Sequence, residues 1–345
     1  MNKYFIETLE KLSIHKVGHK TNEEGMILAK ENAQLDKSLE SILIDYFVDS
    51  FKSDEYFNFY HDIDINMNEV YVCASKIFDN PNTLLEQSIY LAKHLYEQSI
   101  HPRIKGGEFY TAYFKDCVIM GETVDVIGLF KSENKDIFLN VYPKEDSFKV
   151  ESEKGINVKK LDKGCLIFNI EKEKGYIVAA IDNVNKGVEA QYWMNDFLHV
   201  RQREDEYFNT KQIISLCKNF IKNELPQEFD VSKADQIDMI NKSISFFKER
   251  DNFDFEDFIN EVITQPEMIE SFNQYKKEFQ QNNDIEIADN FTISENAMKK
   301  QSRSLKSVIK LDKNFDIHIH GNRNMLEQGV DEKGKYYKMY YHEEL

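Results

Sequence analysis

The spacing of apolar residues changes twice along the chain. Over residues 35–60, Leu35, Leu39, Ile42, Leu43, Tyr46, Phe47 and Phe51 recur at three- and four-residue intervals, which predicts a helix with one apolar face. A second helix is predicted over 82–99, where Leu84, Leu85, Ile89, Leu91, Ala92 and Leu95 recur before His101-Pro102 ends the run. From Gly107 to about Asp182 the period falls to two, Val, Ile, Phe and Tyr dominate, and Gly, Asn, Asp and Lys punctuate at hairpin intervals. This predicts an antiparallel meander whose last two strands meet at a turn around Glu173-Lys174-Gly175. Helical spacing resumes after Trp193, and Pro226 marks a boundary. Residues 231–280 are predicted helical, and the tail closes with short strands at 304–312 and 315–321. The fold class is α+β: an N-terminal mixed domain over 1–225, with an antiparallel sheet and packed helices, and a smaller, mainly helical domain over 226–345 with short terminal strands.

Composition fits two folded domains: 345 residues, 41 % hydrophobic and 30 % charged, with 13 Gly and 5 Pro. The formal net charge of -17 excludes a simple basic DNA coat. The charge is uneven, since residues 101–220 hold 18 basic and 19 acidic side chains and both flanks are acidic. A polyanion is therefore expected to meet the middle segment or a local basic stripe. Cys73, Cys117, Cys165 and Cys217 lie too far apart for a metal knuckle or a dense disulfide framework, and reduced, buried thiols are expected. The first residues lack a signal-peptide apolar run and no stretch approaches a membrane span, so a cytoplasmic protein is expected.

Candidate chemistry is sparse. Asp62, Asp64, Asn66 and Asn68 alternate like the first ligands of a calcium loop. The loop's glycine and its last glutamate would be Met67 and Cys73, so the segment reads as a polar loop running into a strand at 69–78. Asp316, His318 and His320 alternate along a strand as metal ligands would, although a polar solvent face gives the same pattern. His15 and His19 invite the same question, but an extended or looped Ser13–Thr21 would not place them on one helical face. Gly106-Gly107 beside Arg103 and Lys105 would let backbone amides approach a phosphate, and a glycine pair opening a strand is more commonly a turn. Nucleotide-loop, nucleophile-elbow and zinc-protease motifs are absent, so neither a catalytic constellation nor a cofactor is expected. The basic residues carry more. Arg103, Lys105, Lys131, Lys135, Lys159, Lys160, Lys163 and Lys186 fall at turns flanking the predicted strands. Lys299, Lys300, Arg303, Lys306, Lys310 and Lys313 form a run near the tail. Such clusters neutralise phosphates without reading bases.

Several whole phrases then stand out: HKVGHK at 15–20, LAKHLYEQSIHPRIKGGEFY at 91–110, VDVIGLFKSENKDIFL at 124–139, GINVKKLDKGCLIFN at 155–169 and NVNKGVEAQYW at 183–193. In these the chain resembles the bacterial 37-kDa nucleoid-associated protein family, the NdpA or YejK-like proteins. The likeness covers most of 1–220 and resumes more faintly at 307–321. It implies a cytoplasmic protein found with the bacterial chromosome that binds double-stranded DNA with little sequence preference and self-associates; a non-enzymatic protein is expected, and a two-fold homodimer is the default form of such self-association. It brings no DNA-contact residues, which rest on charge alone: Arg103, Lys105, Lys131, Lys135, Lys159, Lys160, Lys163, Lys186, Arg303, Lys306 and Lys310. The alternative is an acidic adaptor that docks on a DNA-bound protein. The aromatic tail Tyr336, Tyr337, Tyr340 and Tyr341 is one candidate for the self-association surface.

Overall fold

The period-two stretch forms the long central strands of an antiparallel sheet. The computed structural model describes residues 4–102, 104–119, 121–184, 192–302, 308–319 and 325–343, and the chain divides into two units, Met1–Arg203 and Glu204–Leu345. In the first unit the strands are β1 (Tyr4–Phe5), β2 (Thr8–Val17), β3 (Met26–Ile27), β4 (Phe57–Phe59), β5 (Gly107–Ile119), β6 (Glu122–Ser132), β7 (Asp136–Lys144), β8 (Ser147–Gly155), β9 (Lys163–Phe168), β10 (Ile177–Asp182) and β11 (Val200–Gln202). Nine of them make one sheet in the order β11-β4-β10-β9-β6-β5-β2-β3, with β1 beside β5. The meander is interrupted once. β6 pairs with β9, and the intervening β7 and β8 form a separate two-stranded ribbon.

Alternate residues of the central strands enter two different cores. Phe109, Tyr113, Ile127, Leu129, Cys165, Ile167 and Val178 face one side, where α2 (Glu69–Asp79) and α3 (Leu84–Gln98) cover the sheet. Tyr110, Phe114, Val126, Phe130, Leu166 and Phe168 face the other, beneath α1 (Lys37–Val48), whose Phe47 stacks on Phe130 with ring centroids 4.1 Å apart. With helices over both faces, β9 is buried at every position, which explains its continuous apolar run.

Two expectations need correction. The helix predicted over 35–60 ends at Val48, and Phe57–Phe59 instead forms β4 between β10 and β11. The strand predicted at 69–78 is the helix α2. Val70, Tyr71, Ala74 and Ile77 lie at helical spacing and are buried, and Asn68 caps the helix by accepting from Tyr71 N at 2.9 Å. The alternating oxygens upstream serve the same purpose, since Asp64 Oδ1 accepts from Asn66 N at 2.8 Å and starts a tight turn. All four cysteines are free and buried, as expected.

The second unit is helical, built from α4 (Glu206–Asn219), α5 (Leu225–Glu228), α6 (Lys233–Glu249), α7 (Phe255–Phe258), α8 (Pro266–Asn283) and α9 (Glu295–Ser302) around a phenylalanine-rich core of Phe220, Phe246, Phe247, Phe253, Phe258 and Phe272. A capping box of Ser232 and Asp235 starts α6. Pro226, where the sequence pattern set the boundary, lies at the start of α5, inside this unit. Three antiparallel ribbons complete it: β12 (Asn252–Asp254) with β13 (Asn290–Thr292), β14 (Val308–Leu311) with β15 (Phe315–His318), and β16 (Leu326–Asp331) with β17 (Gly334–Met339). Among the described residues no helix is long and apolar enough to cross a membrane.

Candidate nucleic-acid interface

Strand register brings the distinctive sequence phrases to one end of the large sheet. Val17 pairs with Gly107, Glu108 with Ser132, Lys131 with Lys163, and Lys163 with Asp182. The ends of β2, β5, β6, β9 and β10 therefore lie side by side, and the loops leaving them are neighbours. Asp162 fastens these loops. One carboxylate oxygen accepts from Glu133 N at 2.6 Å and Asn134 N at 2.8 Å, and the other accepts from Asn134 Nδ2 at 2.9 Å. Asn183 closes the far side by donating its side-chain amide to Leu161 O at 2.8 Å.

Beneath the loops lies a buried ionic cluster. Lys131 Nζ meets Glu133 Oε1 at 3.0 Å and donates to the Lys105 carbonyl at 2.9 Å, while Lys163 Nζ grips both oxygens of Asp182 at 2.9 and 2.8 Å. Glu133 Oε2 faces Lys163 at 3.7 Å, so this carboxylate lies between the two ammonium groups. The Tyr192 hydroxyl donates to Glu133 at 3.0 Å, and its ring lies 5.5 Å from Lys131 Nζ and 5.3 Å from Lys163 Nζ. Burial pushes the Lys131 ammonium below its ordinary value and the Tyr192 phenol well above its own, the latter reinforced by the negative charge of Glu133. Charges so fully removed from water persist only when paired, and here each has a partner of opposite sign.

This placement corrects the charge reading at two positions. Lys131 and Lys163 are at strand ends with 0 % exposure, and their ammonium groups are taken up by carboxylates and a carbonyl, so neither reaches a phosphate. Sequence reasoning also passed over the partners, Glu133, Asp162, Asp182 and Tyr192. The only local signal was the adjacency of acid and lysine at 131–133 and 162–163.

Four of the expected basic residues are exposed on these loops. Lys105 Nζ donates to Asn134 Oδ1 at 2.7 Å, Lys135 pairs with Glu108 at 2.6 Å, and Lys160 pairs with Asp136 at 3.4 Å. Lys159 is exposed, and its ammonium has no partner among the described residues. In the second unit Lys310 is exposed on β14, 4.0 Å from Asp316. Arg103, Lys186, Arg303 and Lys306 lie outside the described residues.

The remaining candidates resolve into structural roles. Gly107 has no room for a side chain, because a Cβ there would stand 1.8 Å from the Ser132 carbonyl oxygen, and one on Gly106 would stand 2.6 Å from Glu24 Oε2. The glycine pair thus permits close chain packing. His15 accepts from Ala29 N at 3.0 Å through Nδ1 and donates from Nε2 to Ser88 Oγ at 2.8 Å, and burial depresses its basicity. His19 accepts from Asn22 N at 3.2 Å and donates to the His101 carbonyl at 2.8 Å. Asp316 and His318 lie on the exposed side of β15, and His320 is outside the described residues. Among the described residues no three His, Cys, Asp or Glu side chains are grouped to hold a metal ion.

No curated protein matches the chain. The family model described as nucleoid-associated protein YejK matches residues 13–334, a span that includes every loop of this sheet end. The phrases that the register gathers here and the breadth of that match agree: the chain belongs to the nucleoid-associated protein YejK family.

Proposed function

We propose that the protein is a non-enzymatic nucleoid component that binds double-stranded DNA through its phosphate backbone, using the exposed lysines at this sheet end. Membership of the nucleoid-associated family supports a nucleoid role. The observation that carries the site is the convergence of Lys105, Lys135, Lys159 and Lys160 on loops fastened by Asp162 and the ionic cluster beneath. A platform of backbone-contacting cations gives affinity without sequence readout.

The test is fluorescence anisotropy of duplex DNA titrated with the full chain from low to physiological salt. Four phosphates neutralised give a log–log salt slope of about -3 to -4, at about -0.9 for each. Reversing the charge of Lys105, Lys135, Lys159 and Lys160 together should abolish binding and flatten that slope. Unchanged binding and slope would remove this surface from the proposal.

One observation favours a second reading. The chain carries a net -17, and two of the four lysines are already paired with Glu108 and Asp136. An acidic adaptor recruited by a DNA-bound basic protein would join the nucleoid yet leave naked DNA unshifted even at low salt.

A further inference from the structure

The ribbon formed by β7 and β8 has two unlike faces. Register pairs Ile137 with Lys154, Leu139 with Ser152, Val141 with Val150 and Pro143 with Phe148, so these side chains project together. That face presents Ile137, Leu139, Val141, Pro143, Phe148 and Val150 as one continuous apolar strip. All six are exposed, with Leu139 at 69 % and Phe148 at 71 %. The opposite face pairs Phe138 with Glu153, Asn140 with Glu151 and Tyr142 with Lys149, and is mostly polar. One-sided alternation of this kind is the pattern of a strand pair covered on one side.

We propose that this apolar face is the self-association surface of the protein, covered by the same face of a second copy around a two-fold axis. The strip offers roughly 500 Å² of apolar surface, at the upper end of what an ordinary monomer leaves uncovered. Two copies face to face bury about 1,000 Å², the threshold area of a specific interface and the range of weak, concentration-dependent association. A two-stranded ribbon is itself marginal in water, so the same contact stabilises the ribbon.

Charge selects both the partner and the orientation. The ribbon carries Lys144, Lys149 and Lys154 against Asp136, Glu145, Asp146, Glu151 and Glu153, an acidic balance that repels a nucleic acid. On the apolar face Lys154 sits at the base, opposite Ile137, while Glu145 and Asp146 form the turn at the tip. Strands running base to base would oppose lysine to lysine and acid to acid. The antiparallel arrangement lays each Lys154 beside the acidic turn of the other copy, twice by symmetry.

Sedimentation equilibrium of the full chain across a concentration series tests this. The wild type should reach twice 40.8 kDa. Leu139→Glu places a carboxylate in the dry centre twice over and should raise the dissociation constant at least about a hundredfold, with the far-ultraviolet dichroism unchanged. Should that variant misfold, surface charges keep the question open to test. Lys154→Glu should weaken the dimer by about two- to tenfold, and adding Glu145→Lys and Asp146→Lys should restore it. A wild type that stays monomeric throughout overturns the proposal, as does a dimer indifferent to all these changes. A folded Leu139→Glu variant of unchanged mass that loses DNA affinity would overturn it in favour of a DNA-contacting arm.

Discussion

Two lysines and a strip of aliphatic residues, close together in sequence, have exchanged the environments that their chemistry would assign them. Lys131 and Lys163 close adjacent strands of the large sheet and are wholly buried, while Leu139 and Phe148, on the ribbon inserted between those strands, stand in solvent. The sheet is covered on both faces by helices, so whatever its strand ends carry must be satisfied internally. The lysines persist there because Glu133 and Asp182 neutralise them. The ribbon leaves that sheet, and among the described residues no layer covers its apolar face. Burial follows from what lies over a strand, and residue type only sets the energetic consequence.

The largest expected effect tests the buried side of this contrast. Lys163→Ala removes a buried ammonium from between Glu133 and Asp182 and should cost about 3–5 kcal/mol in urea unfolding, whereas Lys160→Ala, at an exposed pair, should change stability by under about 0.5 kcal/mol. Equal losses would break the comparison. Next, Leu129→Ala removes a side chain buried beneath α2 and α3 and should cost about 2–5 kcal/mol, while Leu139→Ala should shift the unfolding of dilute, monomeric protein by under about 0.5 kcal/mol. A large loss at Leu139 in the monomer would show that its own chain covers the ribbon.

The smallest effect is a pH dependence from His15. Its depressed basicity means that the folded state keeps the imidazole neutral while the unfolded chain takes up a proton near the ordinary value of 6.5. This contribution to stability is complete above that pH and is lost as pH falls below it. Denaturant midpoints of the wild type should decline between about pH 7 and 5.5 more steeply than those of His15→Gln. Parallel declines would assign the acid sensitivity elsewhere.

Much of the scaffold was legible along the chain. Alternation over 107–182 located β5, β6, β7, β9 and β10 but not β8, and three- and four-residue spacing located α1 and α3, because those periods reflect local geometry. Two readings failed for identifiable reasons. Val70, Tyr71, Val72 and Ile77 favour strands by type, yet α2 forms because Asn68 caps it and Val70, Ala74 and Ile77 meet the core on one helical face. Phe57 and Phe59 fit the helical apolar spacing upstream, but β10 and β11 supply hydrogen-bond partners that only the folded chain brings near. The candidate site was half legible: its basic loops could be named, but beyond the acid beside Lys163 nothing local separates it from Lys159.

The sequence by itself determined the fold class, the acidic balance with its nearly neutral middle segment, and the family phrases. Each of these is written within a few consecutive residues or in a simple count. Only the tertiary structure decided that Lys131 and Lys163 are internal struts, that Lys105, Lys135, Lys159 and Lys160 share one sheet end, and that the ribbon's apolar face is exposed among the described residues. Those outcomes depend on strand register and on the layers above each strand, which are set by segments far apart in the chain and by the cost of leaving a charge unpaired away from water.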